Sequence, residues 1–365
     1  MLYYLTDALL VNSTSPLYHD VISAVENLAI SVFERKHELY GDFNVLDTMS
    51  KNTDLGLRSR SILNRIVQNY PSRSIPKEIT YYVEVVPNVV IRKRLVNHRV
   101  VVQLPVSELQ DSRSVQASCL IGEFYYDCKF FRQILLRYMK HKDLTTPIRF
   151  DDIAGCGSTL IDHVKQYLKG DKRPTLAIVD TDKKYPTQPI QPNTTCGKCI
   201  RKYVDNVLYK FIHLNVHEAE NLVPMEVIDN LNWLGAGVGF KKSYDTLRNH
   251  PESEDILAFF DIKKGIRNCP ELKASKAYQG FSELCCSFDP SNPANKNFDQ
   301  YFSKLPDDAV IFPMLSKNLL KDAISYMKTH SDDDFQLLEY QKREWIKISK
   351  MMLNWGICRN NEAVN

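Results

Sequence analysis

The apolar positions of residues 16–38, "PLYHDVISAVENLAISVFERKHE", fall at 18, 21, 22, 25, 28, 29, 32 and 33. That spacing draws one stripe at the helical period, and Pro16 suits a helix start, so the segment predicts an amphipathic helix. Residues 57–69 predict a second one. The period then changes. "EITYYVEVVPNVVIRKRLVNHRVVVQLPV", residues 78–106, is rich in Val, Ile, Tyr and Thr, with Pro-Asn and Asn-His as turn signals. It predicts a short antiparallel meander. Residues 1–110 are therefore expected to form an α+β region.

From about residue 117 short apolar runs alternate with striped segments. "ASCLIG", "TPIRFDDIAG", "TLAIVD" and "LYKFIHLN" predict strands. "EFYYDCKFFRQILLRYMKH", "STLIDHVKQYLKG" and "AENLVPMEVIDNL" predict helices, the second capped by Ser158 and stopped by Gly170. Tyr125, Tyr126, Phe130 and Phe131 recur at helix spacing and are expected in the core. Alternation at this spacing implies an α/β unit, a parallel sheet flanked by crossover helices, over residues 115–265. Residues 266–365 read as a helical C-terminal region, clearest in "SKNLLKDAISYMKTH" and "FQLLEYQKREWIKISKMMLNW", with a frayed tail "CRNNEAVN".

Composition narrows the classes. Hydrophobic residues make 44% and charged residues 25% of 365, the proportions of a globular protein of more than one domain. No run of about 18 apolar residues predicts a membrane span. The opening "MLYYLTDALLVNSTSPLY" has no basic residue before its apolar stretch and carries Asp7, so it reads as folded structure and not as a signal peptide. Nine cysteines without framework spacing suit a reduced, cytoplasmic protein. A net charge of +3 gives no global field for nucleic acid. The basic run "IRKRLVNHR" is a local exception. It is either the solvated face of a hairpin or a grip on phosphates through Arg92, Arg94 and Arg99.

Acids end three of the predicted strands. Glu123 follows the first, Asp180 and Asp182 the third, Glu218 and Glu220 the fourth. Ligands of open parallel sheets bind at the carboxyl ends of strands. Like charges gathered there repel unless a cation holds them. Carboxylates without His or Cys select magnesium or manganese, and such sites commonly carry phosphoryl chemistry. A surface turn at Asp180 and Asp182, and helix-start acids at Glu123 and Glu220, are the structural alternatives. "CGKC" has the spacing of half a zinc site, Cys196 and Cys199 with His217 as a third ligand, but a plain loop is the default.

The segments "CLIGEFYYDCKFFRQIL", "DDIAGCGSTLIDHVKQYL" and "LAIVDTDKKYP" resemble the TOPRIM domain. The variety is similar to that of OLD-family nucleases and the nuclease of the PARIS anti-phage system. "HEAENLVP" and "FFDIKKG" resemble two further segments of those proteins. Here the glycine precedes the glutamate, the reverse of the relatives' order. The resemblance implies a TOPRIM fold and a metal-dependent endonuclease. Glu123 would be metal ligand or general base, and Asp180 and Asp182 metal ligands. Glu220, with Glu218 and Asn221 beside it, would complete the shell. Lys183 or Lys263 would steady the transition state, and Lys184 lies in a loop near substrate. It further implies a toxic effector of bacterial defence. With no GxxxxGK[ST] in the chain, any ATPase or sensor would be a separate partner. A homodimer through the C-terminal helices is a further expectation. The alternative function is a nucleic-acid-binding or regulatory subunit that does not cut. Primase or topoisomerase chemistry ranks below both.

Overall fold

Two sheets and the helices around them make up the computed structural model. It describes residues 1–88, 93–167, 172–202, 207–233, 253–268, 305–312, 314–331 and 334–359, and single positions between 241 and 282. The expected Gly170 stop, Arg92 and the tail from residue 360 lie outside the described residues.

The first sheet is mixed. It contains β1 (Leu2–Leu5), β2 (Glu38–Gly41), β3 (Tyr81–Val86), β4 (Lys93–Val96) and β5 (Arg99–Pro105), in the order β2-β1-β3-β5-β4. Only the β4–β5 hairpin is antiparallel; β1 pairs in parallel with β2 and β3, and β3 with β5. The expected meander is thus corrected: a parallel step replaces the first hairpin. The sequence of β3, "YYVEVV", fits this. Its near-continuous apolar run is what a strand buried on both faces requires. Helices α1 (Tyr18–Phe33), α2 (Phe43–Lys51) and α3 (Leu57–Gln68) pack on this sheet, α1 through Val21, Ala24, Val25, Leu28 and Val32.

The second sheet is wholly parallel. It contains β6 (Cys119–Gly122), β7 (Asp151–Ala154), β8 (Thr175–Val179) and β9 (Tyr209–His213), in the order β7-β6-β8-β9. Helices α4 (Tyr125–His141), α5 (Leu160–Lys165), α6 (Thr195–Lys202) and α7 (Met225–Asn230) follow its strands. The whole is α/β and compatible with a Rossmann-like fold. The chain leaves β6 for β7, then crosses back to β8 on the other side of β6, so the connections diverge between β6 and β8. That divergence opens a crevice at the carboxyl ends of the two strands.

Farther along lie α8 (Ser253–Phe259), a two-stranded ribbon of β10 (Ile266–Arg267) and β11 (Val310–Phe312), α9 (Leu319–Thr329) and α10 (Glu339–Gly356). Helix α10 ties the two sheets together. Asn354 Oδ1 accepts from the amides of Thr80 and Tyr81 beside β3, and the Trp355 carbonyl accepts from Ser118 beside β6. Among its large apolar side chains only Ile346 is exposed. Its apolar stripe thus packs within the chain. No helix among the described residues is long and apolar enough to cross a membrane.

Candidate metal centre

Glu123 is the first residue beyond β6, and Gly122 explains why it can sit there. A Cβ at Gly122 would stand 2.9 Å from the Asp127 Cβ and 3.1 Å from the Cys128 Sγ. The strand end and the first turn of α4 touch through that missing side chain. A glutamate at position 122 has no room, so the reversed Gly-Glu order suits this backbone. The close approach also brings in Asp127, which no motif in the sequence marks. Asp127 folds back to accept from the Phe124 amide at 2.7 Å, the return half of a capping box, and is buried.

Asp180 directly follows β8 and is buried; Asp182 is exposed, with a left-handed φ of 55°. Aspartate tolerates that conformation better than most residues. The loop is pinned to the exit of β9. The Asp182 amide donates to the His217 carbonyl at 3.1 Å, and Thr181 Oγ1 to the Val216 carbonyl at 2.5 Å. The β9 exit is pinned in turn to the "FFDIKKG" segment. The His217 amide donates to the Ala258 carbonyl, and Asn221 Nδ2 donates to the carbonyls of Leu257 and Phe260. Asn221 Oδ1 accepts from the Glu218 amide. Asn221 is thus a brace of the acid-bearing turn. Glu218 and Glu220 are both buried.

The result is five buried carboxylates, Glu123, Asp127, Asp180, Glu218 and Glu220, at the ends of three adjacent strands. Asp180 feels repulsion from the other four. Burial, and then that repulsion, holds its carboxyl far above the usual range. Burial followed by repulsion from Asp182 and Asp127 pushes Glu123 up to about 7. Burial followed by repulsion from Glu218 pushes Glu220 up to about 8, and burial raises Asp127 to about 6. Glu218 is raised by burial too. Lys263 answers this charge: its Nζ lies 3.0 Å from both Glu218 Oε2 and Glu220 Oε1. Burial alone would lower the Lys263 ammonium; Glu218, Glu220 and Asp180 outweigh it and raise it. Glu123 Oε1, Glu218 Oε1 and Glu220 Oε2 remain buried without any partner. Buried acceptors are normally satisfied by protein groups or water, and among the described residues these three have no protein partner.

His217 is fixed beside the cluster. Its Nδ1 stands 2.7 Å from the Lys183 carbonyl, so Nδ1–H donates there, and Nε2 stands 3.4 Å from Asp261 Oδ2. Burial would lower the imidazole, but the Asp261 hydrogen bond and the charges of Glu218 and Asp261 carry it upward. His217, Glu218 and Asp261 form a compact group of ligand-type atoms. Since His217 is engaged at both nitrogens, it reads as a staple of the acid-bearing loops.

The other expected residues separate from this centre. Lys183 Nζ donates to the Pro186 carbonyl in its own loop, which leaves Lys263 as the lysine among the acids. The Lys184 amide donates to Gln188, and its side chain lines a smaller cleft with Lys264 and Arg267. Arg94 makes a two-pronged pair with the buried Glu84 of β3 at 2.7 and 2.6 Å, and Arg99 donates to the carbonyls of Ile75 and Pro76. Both have partners in the first sheet and its flanking segment, apart from the acidic centre. Cys196 and Cys199 lie on α6, where a loop was the default, in an apolar cluster with Ile121, Leu160 and Val179; among the described residues they join no group of ligand-type atoms. Tyr125 and Tyr126, expected in the core, are exposed, while Phe130 and Phe131 are buried as expected.

A cleft of about 240 Å³ opens beside the acids. Asp127, Glu220, Lys263, Lys317, Lys321 and Phe124 are among the residues that line it. Comparison with family models, with curated proteins and with solved structures yields no match to this chain. The chemistry of the centre therefore has to be argued from its own residues.

A pH prediction follows. The folded protein binds protons on these carboxylates that the unfolded chain has released, so stability falls as pH rises through the interval between their ordinary values, 3.8 to 4.5, and about 8. Each unit of difference corresponds to about 1.4 kcal/mol. In chelator, the melting temperature should fall steadily from about pH 5 to about pH 8, and magnesium should flatten that fall. A chelated protein that melts at the same temperature throughout would mean that the cluster is not buried together.

Proposed function

We propose that this chain is a magnesium- or manganese-dependent nuclease that hydrolyses phosphodiester bonds, with a TOPRIM-like arrangement of its acidic centre. The observation that carries the reading is the set of three buried carboxylate oxygens without partners among the described residues, on Glu123, Glu218 and Glu220, near the buried Asp127 and Asp180, with Lys263 paired to Glu218 and Glu220. Hard oxygen ligands in this number fit a small divalent cation. Glu123, Asp180 and Glu220 would hold it, with Glu218 and Asp127 in support and the exposed Asp182 available from the loop above.

When bound, such an ion supplies charge neutralisation for the phosphate and acidity for water. The remaining work falls to side chains. Glu123, whose Oε1 has no protein partner among the described residues, would orient the attacking water beside its place in the shell. Lys263 lines the cleft and presents its ammonium to the negative charge that builds on the phosphoryl oxygens. Burial of the acids keeps these charges in a low dielectric, where each acts more strongly. The sequence resemblance supports the further proposal of a toxic defence effector that acts in the cytoplasm and is restrained by a separate ATPase or sensor.

The test is calorimetric titration of magnesium and manganese into the purified protein, beside incubation with plasmid DNA and total RNA. Binding and cutting should both vanish in chelator and in Glu220→Gln. Cutting that persists in Glu220→Gln, or a protein that takes up neither metal, would refute the assignment. Uptake of metal without cutting of either substrate would favour a regulatory subunit.

A further inference from the structure

Phe124, Tyr125 and Tyr126 follow Glu123 directly, and their exposures are 56%, 51% and 44%. Three consecutive large aromatics facing water at the mouth of an acidic cleft are out of place unless something covers them. They are held there. The Phe124 amide is bonded to Asp127, and Phe124 and Tyr126 line the cleft together with Glu220 and Lys263, whose Nζ lies 5.9 Å from the centre of the Phe124 ring. Lys317 and Lys321 line it too, exposed and without an ion pair among the described residues. The lining thus offers two kinds of surface, exposed aromatic rings and exposed ammonium groups.

We infer that this cleft receives an unpaired nucleic-acid strand, with a base stacked on Phe124 or Tyr126 and the neighbouring phosphates held by Lys317 and Lys321. The inference rests on the nuclease reading for the identity of the polymer, and it adds the strandedness of the substrate. At about 240 Å³ the cleft lies below the usual range of small-molecule pockets and suits one nucleotide unit, not a double helix. A base can reach an aromatic wall inside such a space only after leaving the stack of a duplex. Stacking on exposed rings beside a basic wall is how single strands are bound without demand for sequence. The exposed rings are also dispensable to the core, so their role is open to substitution.

The experiment is fluorescence anisotropy with end-labelled single-stranded DNA, single-stranded RNA and a matched duplex, run in chelator and again with magnesium. At least one single strand should bind about tenfold or more tighter than the duplex. Phe124→Ala and Tyr126→Ala should each weaken single-strand binding about 5- to 150-fold and leave the duplex unaffected. Lys317→Ala combined with Lys321→Ala should flatten the salt dependence by about 1.4 in log–log slope, roughly 0.7 for each phosphate no longer neutralised. Melting curves equal to the parent would confirm that all of these variants are folded. Equal or tighter duplex binding, aromatic variants that bind like the parent, or no binding of any strand would overturn the inference. The two readings separate cleanly. Metal-dependent cutting with a duplex preference would sink the strand inference alone. Ring-dependent single-strand binding without metal uptake or cutting would sink the nuclease reading alone.

Discussion

Replacing Asp180 by asparagine should raise the melting temperature of the chelated protein by about 2 to 6 °C near pH 8. The same substitution should lower metal-dependent cleavage about a thousandfold or more. The two effects share one cause. Asp180 is buried where Glu123, Asp127, Glu218 and Glu220 all repel its charge. Without a cation, ionising it costs the fold more than any neighbour returns. Asparagine keeps the shape, removes the charge, and its amide can donate to an adjacent carboxylate. What it cannot do is complete an anionic shell for a divalent ion. Near pH 5 the stabilisation should shrink, because the parent carboxyl is then protonated and already neutral. Differential scanning fluorimetry at both pH values, beside a cleavage assay, reads both halves. A less stable Asp180→Asn protein, or one that still cuts, would break the link between charge crowding and chemistry.

Lys263→Met should have the opposite sign and the larger size. The ammonium lies 3.0 Å from Glu218 and from Glu220, and both acids are buried. Methionine keeps the length of the side chain and leaves two buried carboxylates uncompensated. Removing one partner of a buried ion pair typically costs about 3 to 5 kcal/mol. The loss should be greatest near pH 8 and smaller near pH 5, where Glu220, pushed up to about 8, is protonated in the fold. Magnesium should recover part of it by mass action on the native state. Urea titrations at the two pH values with and without magnesium measure each component. A cost that does not change with pH would mean that Lys263 serves packing and not charge.

How much of this the sequence disclosed follows from the range over which each signal acts. Strands β6 and β8 were legible as apolar runs, and the acids were legible because they stand just beyond strand ends. The parallel pairing follows from the alternation of strand and helix; the order that opens the crevice between β6 and β8 is set by the tertiary fold. Asp127 was not legible: along the chain it is a polar residue in a helix, and its burial depends on the missing side chain of Gly122. Tyr125 and Tyr126 were placed in the core with Phe130 and Phe131. Five residues turn a helix by about 140° beyond a full circle, so the two pairs face different ways. Strands β1 and β2 have four residues each, too few for a period to declare itself. The parallel pairing of β3 with β5 is a tertiary choice that the hairpin signals between them concealed. The basic run at β4 was legible as charge, yet its partners, Glu84 and the carbonyls of Ile75 and Pro76, were not.

Helix α10 also supports the turn that carries Glu220. Tyr340 and Gln341 donate to the Asn221 carbonyl, Gln341 also to that of Val223, and Trp345 to that of Leu222. These partners are separated from the turn by 118 to 123 positions. On a ribosome adding about 5 to 20 residues per second, the acids of the turn emerge roughly 6 to 24 s before the side chains that fix them. A growing chain therefore carries every carboxylate of the centre through that interval while the turn beneath Glu220 lacks the support of α10. The order of synthesis therefore makes this acidic turn one of the last parts of the molecule to gain all of its supports.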